Sequence, residues 1–92
     1  ARVKSVFIKD MEEKSDYLKR IIKEDIIKDE SDTLSNIAHT FKGNADYFGL
    51  SPLQVLAKEL DTEFKEDGSE KNISNLTLGL SKIIEDIISI NK

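Results

Sequence analysis

The chain has 92 residues and a formal net charge of −4, from 14 basic and 18 acidic side chains, and it contains one histidine and no cysteine. The lack of cysteine excludes disulfides, thiolate zinc sites and cysteine nucleophiles, and a single histidine argues against a metal centre. No basic block marks a nucleic-acid surface, and no apolar run has the length of a membrane span or the position of a signal peptide. We therefore expect a cytoplasmic protein that forms a single domain over residues 1–92, without nucleic-acid or membrane contact.

Apolar residues recur at intervals of three and four throughout the chain, and no alternating strand pattern occurs, so every element is predicted to be a helix. The first helix is predicted over residues 3–28. Its apolar stripe consists of Val3, Phe7, Met11, Leu18, Ile21 and Ile22. In the polar cluster that follows, Asp29, Ser31 or Asp32 is predicted to cap the second helix by accepting hydrogen bonds from its first-turn amides.

The second and third helices are separated by strong boundary signals. The second carries its apolar stripe on Leu34, Ile37, Ala38, Phe41, Ala45 and Phe48. Gly49 is predicted to end it, and the sequence SPLQ predicts the start of the third helix, with Ser51 as N-cap, Pro52 in the first turn and Gln54 completing a capping box. The third stripe consists of Leu53, Leu56, Ala57, Leu60 and Phe64. Gly68 is predicted to close this helix in the left-handed conformation.

The fourth helix is predicted over residues 73–90. Its spine consists of Leu76, Leu80, Ile83, Ile87 and Ile90, widened by Ile84 and Ile88. Gly79 lies inside this helix and predicts a close helix contact, because a mid-helix glycine costs about 1 kcal/mol relative to alanine. Four amphipathic helices with short connections predict an all-α, antiparallel up-down-up-down four-helix bundle.

The histidine lies in the sequence AHTFKGNADYFGL, on the second helix. His39 follows the core residue Ala38, so it is predicted to lie beside the buried stripe and face solvent. Lys42 and Gly43 stand three and four residues later, the spacings that place side chains on one helical face. Gly43 leaves one side of the imidazole unshielded at a cost in helix propensity, which predicts that another molecule approaches the ring. The alternatives are an ordinary surface histidine, a solvated lysine and a glycine that ends the helix.

These residues resemble the histidine phosphotransfer (HPt) domains of phosphorelays, which include HPt domains of hybrid kinases and the phosphoacceptor domain of chemotaxis histidine kinases. The family pattern is His-x-x-Lys-Gly, a glycine ten residues after the histidine, and a leucine-rich helix. It is matched here by His39, Lys42, Gly43, Gly49 and the sequence LSPLQVLAKELD, about a quarter of the chain. The sequence VFIKDMEEKSDYLKRII also resembles the first helix of the family.

The resemblance implies a phosphoryl carrier rather than an enzyme. His39 would be phosphorylated, Lys42 would attract the phosphoryl oxygens, and Gly43 would admit the receiver domain of a response regulator. The receiver would supply the aspartate and Mg²⁺, so no cofactor of this domain's own is expected. The neutral imidazole that the reaction needs predominates at pH 7 for a histidine of ordinary pKa.

Further candidates surround the histidine. In an antiparallel pair of helices with a turn near residue 50, His39 lies level with Asp61, and Lys42 lies level with Lys58. In chemotaxis-type domains a glutamate at the Asp61 position orients the imidazole, a role that the shorter Asp61 would fill through water or not at all. Lys58 is a candidate for a positive rim around phosphohistidine. Asp46 departs from the family pattern of a small residue: it is predicted to pair with Lys42 at i+4, and alternatively to weaken docking or to select a particular receiver.

Three readings of the function remain open from the sequence. The first is a relay domain that exchanges phosphate with a receiver, and the second is a kinase-fed phosphoacceptor domain of a chemotaxis-type histidine kinase. The third is a non-covalent interaction module that uses an exposed helical face. A freestanding protein and a domain of a larger kinase are equally compatible with these residues, and a monomer is expected.

Overall fold

The computed structural model describes residues 2–66 and 68–90, with side chains from Ser5 onward. Over this part of the chain it consists of α1 (Arg2–Lys23), α2 (Ser31–Phe48), α3 (Ser51–Lys65) and α4 (Glu70–Ile90), without strands. The predicted all-α four-helix architecture is confirmed. Val3, assigned above to the first apolar stripe, lies outside the residues whose side chains are described.

The contacts between α1 and α2 connect opposite ends of the two helices. The ring of Phe7, near the start of α1, stacks on Phe48 at the end of α2, with centroids 4.9 Å apart. Later in α1, the hydroxyl of Tyr17 donates a hydrogen bond of 2.6 Å to Glu30, directly before α2. Contacts in this order are those of antiparallel neighbours.

One apolar core lies between the four helices. Its fully buried side chains come from every helix and include Met11, Leu18, Ile21, Leu34, Phe41, Leu53, Leu60, Leu80 and Ile84. The edge of Phe7 packs against Phe41 at a centroid distance of 5.9 Å, so the aromatic rings tie α1 to α2. Because burial of each large apolar side chain contributes about 1.5–3 kcal/mol, this core is the main source of stability.

Helix α1 ends at Lys23, five residues earlier than predicted. Asp25 adopts the left-handed conformation with φ 55°, which breaks the helix. Ile27 is nevertheless buried and Ile26 is half-buried, so the apolar pattern continues through an irregular connection. Periodicity alone therefore placed the end of the helix too late.

The predicted caps of α2 are also wrong. The cap position is Glu30, which makes no side-chain capping bond, and none of Asp29, Ser31 and Asp32 occupies it. The Glu30 carboxylate accepts instead from Tyr17. A tertiary hydrogen bond thus fixes the start of α2 where a local cap was expected.

The connection between α2 and α3 depends on Gly49, as predicted. Gly49 ends α2 in the left-handed conformation with φ 70°, and the amide of Leu50 donates to the carbonyl of Ala45 at 2.8 Å. Helix α3 starts at the predicted SPLQ sequence, but Leu50 occupies the cap position and makes no side-chain bond, so the capping box of Ser51 and Gln54 is wrong. The Gln54 amide donates to the Leu50 carbonyl at 2.9 Å.

The end of α3 does not use a left-handed glycine. Glu66, rather than Gly68, closes the helix, with φ −96°. The amide of Gly68 donates to the carbonyl of Glu63 at 2.7 Å, so Gly68 lies close to the last turn of α3.

Helix α4 starts at Glu70, three residues before the predicted start, because the hydroxyl of Ser69 accepts from the amide of Asn72 at 3.1 Å. Its buried residues are Thr77, Leu80, Ser81, Ile84 and Ile88. Most of the predicted spine lies at the edge of this face or outside it. Leu76, Ile83 and Ile87 are half-buried, and Ile90 is exposed.

A buried threonine hydroxyl explains why the face of α4 was misplaced. Thr77 donates to the carbonyl of Ile73 at 2.7 Å, which satisfies its polar group inside the core. Gly79 faces Leu56 of α3, but an added Cβ would lie 3.6 Å from the leucine, an ordinary contact distance. The close approach predicted at Gly79 is therefore wrong.

Two glycine substitutions test the backbone assignments of α2. Within residues 2–66 and 68–90, an added Cβ meets no atom within 4 Å at Gly43 or at Gly49, so packing does not distinguish them. Gly43→Ala should raise the free energy of unfolding by about 0.5–1 kcal/mol, because Gly43 is helical. Gly49→Ala should lower it by about 1–2 kcal/mol, because its φ is positive. Urea denaturation measures both, and changes of the same sign would contradict the assignments.

Candidate functional site

The candidate site lies on the outer side of α2, where it faces α3. Ala38 and Phe41 are buried, and His39 and Gly43 lie beside them on the exposed side of the helix. The His39 side chain is 68% exposed, which leaves most of the imidazole accessible to a second protein. An added Cβ at Gly43 would have no atom of the described residues within 4 Å, so the surface one turn after the histidine is open in this part of the chain.

The buried carboxylate of Asp61 on α3 is the centre of the polar contacts at this site. Asp61 is 4% exposed. Its Oδ1 lies 3.8 Å from Nδ1 of His39, which is beyond hydrogen-bond distance. Its Oδ2 accepts from Nζ of Lys42 at 3.0 Å and contacts Nζ of Lys65 at 3.1 Å. We call Asp61, Lys42 and Lys65 the lysine–aspartate cluster.

The two lysines determine the charge state of the buried carboxyl. Burial by itself raises the pKa of Asp61, but the hydrogen bonds and positive charges of Lys42 and Lys65 outweigh burial and hold the pKa below its usual value. Asp61 is therefore ionised at neutral pH. With two ammonium groups and one carboxylate, the cluster carries one positive charge in excess next to His39.

The structure places Asp46 and Lys58 apart from this cluster. Asp46 is exposed, and Lys42 pairs with Asp61 across the helix interface, so the predicted pair of Lys42 with Asp46 is wrong. Lys58 lines a shallow depression with Val55, Thr62 and the α4 residue Leu76, and it forms no ion pair with Asp61.

The second lysine of the site is Lys65, which was missed in the sequence. Its spacing is the signal in the sequence that identifies it. Lys65 stands four residues after Asp61 on α3 and shares a helical face with it. Lys58 was chosen because it lies level with Lys42 in an antiparallel pair. The height of a residue along a helix does not specify the direction of its side chain.

Two further properties bear on the chemistry. Among residues 2–66 and 68–90, no group of three or more His, Cys, Asp or Glu side chains is arranged to hold a metal ion. Within the same ranges, none of the helices combines the length and the apolar character needed to cross a membrane.

The pKa of Asp61 predicts a pH-dependent contribution to stability. Because its folded-state pKa is lower than the value of about 3.9 in an unfolded chain, the stabilisation is complete above that value and is lost as the pH falls through the folded pKa. Asp61→Asn should lower the free energy of unfolding by about 1–2 kcal/mol at pH 7, and this deficit should shrink as the pH falls below the unfolded-chain value of about 3.9. Urea denaturation at about pH 7, 5, 3 and 2.5 measures it.

Asp46→Asn is the matched control for this measurement. Asp46 is exposed, so its substitution should change stability by less than about 0.5 kcal/mol at each pH. An Asp61→Asn deficit that stays constant down to pH ~2.5 would contradict the ion-paired carboxylate.

Comparison with protein-family models matches residues 2–89 to the Hpt domain. Comparison with curated proteins and with solved structures found no match. The family match spans all four helices and includes His39, Lys42 and Asp61. Hpt domains act in histidine phosphotransfer of two-component signalling, and they interact with histidine kinases and response regulators. The chain therefore belongs to the Hpt domain family.

Proposed function

We propose that this domain carries a phosphoryl group on His39 and exchanges it with an aspartate of a response-regulator receiver domain. One observation carries the proposal. The chain's single histidine is 68% exposed and lies beside uncovered surface at Gly43, and its Nδ1 lies 3.8 Å from the carboxylate at the centre of the net-positive lysine–aspartate cluster. Accessibility suits attack on a group held by another protein, and positive charge suits a phosphoryl product with about two negative charges.

The proposed reaction uses the nitrogen that faces away from Asp61. Nδ1 is the ring nitrogen nearest Asp61, which leaves Nε2 on the opposite side of the imidazole. The lone pair of Nε2 attacks phosphorus, the bond between phosphorus and the receiver's aspartate oxygen breaks, and its electrons remain on the aspartate carboxylate. Nδ1 keeps its proton, so the ring becomes a phosphorylated imidazolium. The reverse reaction returns the group to the receiver.

Asp61 has an electrostatic role in this proposal. At 3.8 Å it makes no hydrogen bond to the imidazole, but its negative charge favours a proton on Nδ1. A proton there leaves the lone pair on Nε2 free for attack on phosphorus. Asp61 thus favours the tautomer with its proton on Nδ1 through its charge, at a distance too long for a direct hydrogen bond.

The remaining chemistry belongs to the receiver. Phosphoryl transfer needs positioning and charge stabilisation more than covalent catalysis. We propose that the receiver provides the acidic pocket and Mg²⁺, while this domain provides the nucleophile and Lys42. The domain is then a substrate and carrier, without a catalytic centre of its own.

The receiver is proposed to dock along the exposed face of α2. His39, Gly43 and Tyr47 follow one another at intervals of four residues, and all three are exposed. Tyr47 is 78% exposed and is thus an available aromatic anchor. A standard interface covers about 800 Å² on each partner, wide enough to include all three positions. Asp46 lies on the same exposed side of the helix and is proposed to influence which receiver binds.

Replacement of the histidine tests the phosphoryl acceptor directly. The wild type, incubated with Mg²⁺-loaded receiver domains charged by acetyl phosphate, should gain one phosphoryl group that is lost in acid. His39→Gln should gain none, and its stability should change by less than about 0.5 kcal/mol because the side chain is exposed. Intact mass and urea denaturation are the measurements.

Phosphate on the His39→Gln variant would refute the assignment of the acceptor. If the folded wild type accepts phosphate neither from receivers nor from histidine kinases, the non-covalent interaction module replaces the proposal. Acceptance from a kinase alone identifies a kinase-fed domain.

Replacement of Gly43 tests the access of the receiver. Gly43→Leu should reduce the rate of transfer from a charged receiver by at least about tenfold, because a large side chain beside His39 obstructs docking. Gly43→Ala is the control with a small side chain and should retain most of the rate. Transfer rates over a series of receiver concentrations measure the effect, and equal rates for the leucine variant and the wild type would overturn the role of Gly43.

A further inference from the structure

Two lysines from different helices converge on one carboxylate oxygen beside His39. Lys42 comes from α2 and Lys65 from the last turn of α3, and their ammonium groups lie 3.0 and 3.1 Å from Oδ2 of Asp61. We propose that Lys65 is a second phosphoryl-binding lysine, which Asp61 holds in place until His39 is phosphorylated. The proposal deepens the function proposed above and rests on phosphorylation of His39.

The geometry puts the Lys65 ammonium on the Asp61 side of the His39 ring, so a change of rotamer must carry it toward a phosphoryl group on Nε2. Oδ1 of the same carboxylate lies 3.8 Å from the His39 ring, so a single carboxylate group separates the Lys65 ammonium from the imidazole. The Lys65 side chain is 64% exposed, and its four-carbon stem is therefore free to change rotamer. Lys42 is more enclosed, with 30% of its side chain exposed.

The charges explain why one lysine is insufficient. Asp61 is buried, and a buried carboxylate without a partner is strongly destabilising, so it must keep one ammonium group. If Lys42 were the sole cation, its transfer to the phosphoryl group would leave Asp61 unpaired. With Lys65 present, one ammonium group can bind the phosphoryl oxygens while the other still pairs with Asp61.

A purely structural role for Lys65 makes a different prediction. A lysine in the last turn of a helix stabilises the helix by its interaction with the C-terminal carbonyl groups. Such a role changes the free energy of unfolding but leaves the ionisation of a phosphoryl group on His39 unchanged. The ionisation of the phosphoryl group therefore separates the two roles.

The experiment uses phosphoramidate as the phosphoryl donor, because this small molecule phosphorylates an accessible imidazole without a protein partner. Since His39 is the only histidine, the label has a single site. A ³¹P NMR titration of the phosphorylated protein then gives the pH at which the phosphoryl dianion takes up a proton. A nearby cation disfavours that proton and lowers this pH.

Lys65→Met should raise the titration midpoint by about 0.3–0.6 on the pH scale, the size expected for one solvent-exposed ion pair. Lys65→Arg should restore the wild-type midpoint. Lys58→Met is the matched control, since Lys58 is an exposed lysine of the same helix outside the cluster, and it should leave the midpoint unchanged. Urea denaturation of each variant monitors folding.

A midpoint for Lys65→Met equal to that of Lys58→Met would overturn the proposal. This holds even if both midpoints shift from the wild-type value, because equal shifts would reflect only the overall loss of positive charge. The donor here is chemical, so either result leaves the acceptance of phosphate from receivers to be judged separately. Conversely, failure of every receiver and kinase to phosphorylate His39 would refute the proposed function without altering the titration.

Discussion

The interaction on which this site depends is the pairing of a buried carboxylate with two lysines. Asp61 is 4% exposed, and an ionised group so placed requires compensating charge. Lys42 supplies it from α2 and Lys65 from α3 itself, so the Lys42–Asp61 pair joins the two helices at the level of His39, while the Lys65–Asp61 pair lies within α3. The need to neutralise one buried charge thus explains why positive charge is concentrated beside an exposed histidine.

The backbone turn between α2 and α3 determines which residues meet. Gly49 ends α2 with φ 70°, and α3 begins two residues later, so the helices reverse direction within a short connection. Buried apolar residues on both helices, including Ala38 and Leu60, fix the orientation of each helix about its own axis, because these side chains must face the core. Once the reversal and the rotation are fixed, His39 and Asp61 lie side by side, next to the buried stripes rather than within them.

These two constraints also explain what the sequence predicted and what it did not. The number of helices, the end of α2 and the proximity of His39 to Asp61 follow from apolar periodicity and one glycine. The end of α1 and the cap of α2 do not, because Ile26 and Ile27 keep the apolar pattern beyond the helix and Glu30 is held by Tyr17. Lys65 was missed because the direction of a side chain depends on packing around it, whereas Lys58 satisfied the simpler criterion of height.

The distribution of burial separates residues that support the fold from those proposed to support transfer. His39, Gly43 and Tyr47 are exposed, so their substitution changes the surface offered to a partner with little effect on the core. Asp61 belongs to both groups, since it is buried and also contacts the charges around the histidine. Its pairing with two lysines resolves the conflict between the two roles. One ammonium group meets the requirement of the fold, and the other is available to the phosphoryl group without leaving a buried charge unpaired.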